Sequence, residues 1–199
     1  SDEGTTTFEW STVDAHGNRE ATQTAQFRLD WTRPTIQATV TPPVTSAYVN
    51  HDCTITVNAE DAVSGVKDIY LGAGGPTYTG PIACSAEGAY AYSFIAQDRA
   101  GNWSDYAQVV LRIDKTAPTM TFYGPPQPEN PYHLSFFGLD SGSYVAETYW
   151  RLDGGEWQSG SFTRITQPGP HSVDAYCVDA AGNASSVEST SFTVPSDTD

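Results

Sequence analysis

The side chains able to do chemistry in this 199-residue chain are mostly carboxylates. Asp and Glu number 24 against nine Lys and Arg, for a formal net charge of −15. Clustered Asp oxygens suit a hard divalent cation, because Ca2+ takes about six to eight oxygen ligands from carboxylates, carbonyls and water. Asp30, Asp61, Asp114 and Asp140 are candidate ligands, together with the aspartates of a recurring turn, Asp14, Asp98 and Asp179. No Asp-x-Asp-x-Asp tract gathers them into one loop, and Lys115 follows Asp114. Solvated acidic surface is therefore the default expectation, in which the chain needs no cofactor, and a calcium site is the alternative.

The nucleophile candidates are few. His51-Asp52-Cys53 puts an imidazole, a carboxylate and a thiol in succession. On a strand, however, Asp52 points to the face opposite His51 and Cys53, so the tripeptide reads as a strand start. No G-x-S-x-G, H-E-x-x-H, P-loop or C-x-x-C is present. No two carboxylates pair at equivalent positions of the repeat described next, and no enzyme is expected. The acidic balance excludes a generic nucleic-acid binder, which needs clustered Lys and Arg. It also argues against an anionic membrane surface. Apolar runs reach only about six residues, short of the ~20 that span a bilayer as a helix, so no direct membrane insertion is expected.

The elements that must position these residues repeat. Val13-Asp14-Ala15-His16-Gly17-Asn18 returns as Gln97-Asp98-Arg99-Ala100-Gly101-Asn102 and as Val178-Asp179-Ala180-Ala181-Gly182-Asn183. Leu29-Asp30 followed by Pro34-Thr35 returns 84 positions later as Ile113-Asp114 followed by Pro118-Thr119. Two markers in one phase divide the chain into 1–30, 31–114 and 115–199, the first being the last third of a further copy. Pro34 and Pro118 sit at short joints without Gly/Ser runs, so stiff junctions are expected. Within a copy the apolar period is two: Cys53, Ile55 and Val57 share one face, as do Val109, Leu111 and Ile113, and Val173, Ala175 and Cys177. Six or seven short strands in roughly 80 residues predict an all-β chain of tandem sandwiches.

Several longer tracts carry a family resemblance. Trp150-Arg151-Leu152-Asp153-Gly154-Gly155-Glu156-Trp157, Gly169-Pro170-His171-Ser172-Val173, Asp179-Ala180-Ala181-Gly182-Asn183 and Leu111-Arg112-Ile113-Asp114-Lys115-Thr116-Ala117-Pro118 resemble the repeat signature of bacterial immunoglobulin-like domains strung along surface and secreted proteins. The first full copy departs from it at Leu71-Gly72-Ala73-Gly74-Gly75, which lacks the Asp and the Trp. The resemblance implies tandem immunoglobulin-like sandwiches at the cell surface or outside the cell, acting as stalk, spacer or adhesion module. The alternative it leaves open is a glycan- or protein-binding accessory module of a secreted carbohydrate-active enzyme. A cell-surface glycan or a host protein would be the partner, with Trp103, Trp150 and Trp157 as candidate sugar-stacking faces. In such a sandwich the strands carrying Cys53 and Cys84 are neighbours, which implies a disulfide between them, while Cys177 is a buried free thiol. Residues 1–30 would lack a facing sheet, so docking on the next copy or self-association is expected of them.

Overall fold

The computed structural model describes residues 3–196; the outermost residues of the first and third expected segments, 1–2 and 197–199, lie outside the described residues. Among the described residues there is no helix, and hence none long and apolar enough to cross a membrane. The strands are β1 (Gly4–Trp10), β2 (Gln23–Leu29), β3 (Thr35–Thr41), β4 (Tyr48–Val49), β5 (Cys53–Glu60), β6 (Val66–Leu71), β7 (Ile82–Cys84), β8 (Gly88–Asp98) and β9 (Ala107–Ile113). They continue as β10 (Thr119–Tyr123), β11 (Tyr132–Leu139), β12 (Val145–Leu152), β13 (Gln158–Ser159), β14 (Phe162–Ile165), β15 (Gly169–Asp179) and β16 (Glu188–Val194).

Strands pair within the expected segments. β1 and β2 form a two-stranded hairpin; β3-β5-β7 and β4-β9-β8-β6 form two sheets; β10-β11-β14 and β13-β12-β15-β16 form two more. Alternation decides which residues face inward. In β15 every second residue, His171, Val173, Ala175, Cys177 and Asp179, is buried. Met120 of β10 and Leu134 and Phe136 of β11 meet Trp150 of β12 and Val173, Ala175 and Cys177 of β15 in one cluster. A three-stranded and a four-stranded sheet thus close on a shared dry layer, the immunoglobulin-like sandwich. The same logic buries Ile55, Phe94 and Leu111 completely. In the lone hairpin the same phase leaves Phe8, Trp10 and Phe27 more than half or half exposed, at 58%, 50% and 53%, with Phe8 and Phe27 in edge contact.

Two features escaped the periodicity. β4 is only two residues long and pairs in parallel with β9, Tyr48 opposite Arg112. Contacts also divide the chain into two compact units that do not part at Lys115. One unit takes the chain up to Pro43 with Thr54–Ala83 and Ala91–Val109; the other takes Val44–Cys53, Cys84–Tyr90 and the chain from Val110 onward.

Candidate metal centre

The aspartate turn recurs three times on one plan, an Asp that accepts the amide and the side-chain nitrogen of the Asn four residues on. Asp98 Oδ1 accepts the amides of Gly101 and Asn102 at 2.6 and 2.8 Å, and its Oδ2 accepts Asn102 Nδ2 at 2.7 Å. Asp179 accepts from Ala181 N, Asn183 N and Asn183 Nδ2, and Asp14 from His16 N, Asn18 N and Asn18 Nδ2. The positive φ of Gly101 and Gly182, 101° and 93°, closes the turn, which a Cβ would resist. The geometry survives in the exposed hairpin, so it is local in origin. Burial pushes the Asp98 carboxyl up, but the bonds from Asn102 and Gly101 outweigh it and hold the group below the ordinary carboxylate range.

In the two complete copies the turn does more than reverse the chain. Asn183 Nδ2 also donates to the carbonyl of Asp114 at 2.9 Å, and Asn102 Nδ2 to that of Asp30 at 3.2 Å. These bonds tie the end of one closing strand to the turn of the next copy. They bring carboxylates together: Asp114, Asp140 and Asp179 place one oxygen each within 4.8 Å of the others, and Asp30, Asp61 and Asp98 do the same. The two sets occupy equivalent positions, and each lies within one of the compact units. The expectation that no carboxylates pair at equivalent positions is thereby corrected. Sequence spacing hides the grouping because its members come from a strand exit, a loop and a hairpin turn.

The second triad is electrostatically incomplete. Asp114 is 2% exposed and its Oδ2 has no hydrogen-bond partner, while its Oδ1 accepts Thr116 N. Asp140 Oδ1 accepts the amides of Gly142 and Ser143, leaving its Oδ2 buried and unpartnered. A Cβ on Gly142 would stand 2.5 Å from the Asp114 carboxylate carbon, so only glycine lets this loop close over the group. A buried, unpaired carboxylate oxygen is costly. Two in one triad, an all-oxygen donor set, fit a hard divalent cation. Lys115 does not neutralise them, because its Nζ is turned to Asp52 and to the Ser85 carbonyl.

The other singled-out residues do not converge. Trp150 is buried at 9% exposure against Phe136, 5.7 Å between ring centroids, so as a sugar-stacking face it is corrected: the inward phase of β12 gives it to the core. Trp157 lies edge-on to Tyr176, with the Arg151 guanidinium 4.7 Å from its centroid. Trp103 packs against Tyr70 and remains 37% exposed; with Trp31, Arg33 and Asn102 it lines a shallow cleft. The expected Cys53–Cys84 disulfide is corrected: strands β5 and β7 are neighbours, as that expectation required, but both residues are free, buried thiols; Cys177 is also free and buried. Burial, then the Asp52 charge, pushes the Cys53 thiol up, away from a nucleophilic thiolate.

A separate ion pair makes one pH prediction. His171 Nδ1 lies 2.7 Å from Asp153 Oδ2, and its Nε2 lies 2.8 Å from the Gln167 carbonyl. The bond to Asp153, then that to Gln167, raises the imidazole above its usual value near 6.5. The Ser172 amide, then His171, lowers Asp153 below 3.8. A raised histidine stabilises the fold below 6.5 and loses that contribution as pH rises through its folded value. A lowered aspartate stabilises above 3.8 and loses it as pH falls. The pair therefore contributes most between these limits. NMR titration of His171 is expected to give a midpoint above 6.5 that falls back in Asp153→Asn; an unchanged midpoint in that variant would remove the pair as the cause.

No protein-family model matches this chain, and no curated protein does. Among solved structures it is similar to the fibronectin(III)-like modules of Clostridium thermocellum CbhA, at 17% identity over 79% of this chain and 94% of that one, with a TM-score of 0.40. It is also similar to the D00-D0 domain of intimin, at 11% identity over 80% of this chain and all of that one, TM-score 0.37. A third likeness is to the FN1-FN3 domains of chicken CNTN1, at 9% identity over 96% of this chain and 75% of that one, TM-score 0.37.

Proposed function

We propose that this chain is a non-catalytic, extracellular tandem of immunoglobulin-like modules, acting as a stalk, spacer or adhesion element of a bacterial surface or secreted protein, and that calcium completes its aspartate triads. The observation that carries the cation is the buried, unpartnered Oδ2 of Asp114 in a triad whose Asp140 also has an unpartnered Oδ2. Three carboxylates without His or Cys select a hard ion over a transition metal. Held there, the ion ties the exit of β9 to the β11–β12 loop and to the turn after β15, the last two already joined by the backbone bond from Ala180 N to the Tyr144 carbonyl. Catalysis fits the site poorly, since one oxygen of each carboxylate is already held by backbone amides.

Equilibrium dialysis of the intact chain against calcium tests this reading. Binding in the range of extracellular modules, roughly 10⁻⁴–10⁻³ M or tighter, is expected. Asp140→Asn should weaken it at least about tenfold. Uptake no greater than that of the urea-unfolded chain would refute the cation reading.

A further inference from the structure

The two triads share residue types but not surroundings. In the first, Asp30 spends both oxygens on amides, Oδ1 on Thr32 and Oδ2 on Ser64. Asp61 Oδ1 accepts from Val63, Ser64 and Gly65, and only its Oδ2 is left without a partner. Two guanidinium groups also stand on the loop that presents Asp61. Arg28 Nη2 donates to the carbonyl of Val63, and Arg99 Nη1 comes within 3.4 Å of where a Cβ on Gly65 would stand.

The second triad has neither feature. The position of Arg99 is taken by Ala180, and Arg112, the counterpart of Arg28, is turned to Tyr48, bonding its hydroxyl at 3.1 Å and lying 5.6 Å from its ring centroid. Two carboxylate oxygens there are unpartnered instead of one. Resident positive charge raises the cost of bringing in a divalent cation, and an oxygen that already accepts an amide has less lone-pair capacity left for it.

We infer that the triads are unequal cation sites. Asp114, Asp140 and Asp179 form the tight site. Asp30, Asp61 and Asp98 form a weak one, whose oxygens are mostly taken by amides and whose presenting loop already carries Arg28 and Arg99. The inference rests on the cation reading above and deepens it. As calcium rises, the second triad therefore fills well before the first.

Calorimetric titration of the full chain with calcium, with circular dichroism as a folding control, tests it. Two classes of site differing at least about tenfold in affinity are expected. Asp140→Asn should remove the tight class and leave the weak one, and Asp61→Asn should do the reverse. Arg99→Gln should tighten the weak class several-fold without moving the tight one, and Arg28→Gln should do the same should Arg99→Gln fail to fold. Two equal classes, or loss of the tight class in Asp61→Asn alone, would overturn the ranking while keeping the cation reading. An absence of any binding would remove both.

Discussion

Replacing Phe94 by alanine is expected to destabilise the first complete copy by about 3–5 kcal/mol, the cost of a large buried aromatic plus the cavity it leaves. Phe94 is fully buried, in edge contact with Tyr78 at 5.7 Å and stacked on Tyr92 at 6.0 Å. The Tyr78 hydroxyl oxygen in turn accepts the Val57 amide of β5 at 3.1 Å, so the ring packed on Phe94 also anchors a backbone group. The informative control is Trp10→Ala. Trp10 holds the same place in the hairpin 84 positions earlier but is half exposed. Its truncation should cost far less than that of Phe94, despite the larger side chain. Chemical denaturation with tryptophan-independent detection compares the two. Equal losses would mean that the hairpin face is covered as the inner face of a complete copy is.

Calcium is the second large effect. A ligand that binds only the native state stabilises it by RT ln(1 + [L]/Kd), about 2.7 kcal/mol at a hundredfold excess over Kd. For a module of roughly 80 residues, each kcal/mol moves the melting temperature by about 4–8 °C. Saturating calcium should therefore raise one thermal transition by on the order of ten degrees or more, and a chelator should reverse the change. Gly142→Val should abolish the response, because its side chain would occupy the space over the Asp114 carboxylate. That variant should also cost stability of its own, typically about 1–3 kcal/mol for an overpacked site. A melting curve indifferent to calcium in the unmodified chain would count against the site.

Much of the fold was legible because period-two patterns survive into pairing. Cys53, Ile55 and Val57 line one buried face, as do Val109, Leu111 and Ile113, and Val173, Ala175 and Cys177. What was not legible depends on contacts between segments distant in sequence. Tyr48–Val49 is too short to show a period and becomes a strand only through its parallel partner β9. Trp150 and Trp157 flank one turn, yet strand phase sends the first inward and leaves the second on the outer face beside Tyr176. Asp30, Asp61, Asp114 and Asp140 could be picked out by type, but their partners Asp98 and Asp179 read first as turn formers. Their second role rests on Asn102 and Asn183, whose side-chain amides reach back to the closing-strand carbonyls about 70 residues earlier. Lys115 was misleading for the same reason: adjacent to Asp114 in sequence, it pairs with Asp52 instead.

The most direct test is anomalous diffraction from crystals of the intact chain grown with calcium and exchanged with a lanthanide. The account predicts a strong peak among Asp114, Asp140 and Asp179, about 2.3–2.6 Å from the unpartnered oxygens of the first two, and a weaker one or none among Asp30, Asp61 and Asp98. An unoccupied second triad at millimolar calcium, its Asp114 oxygen bonded instead to a protein donor, would contradict it.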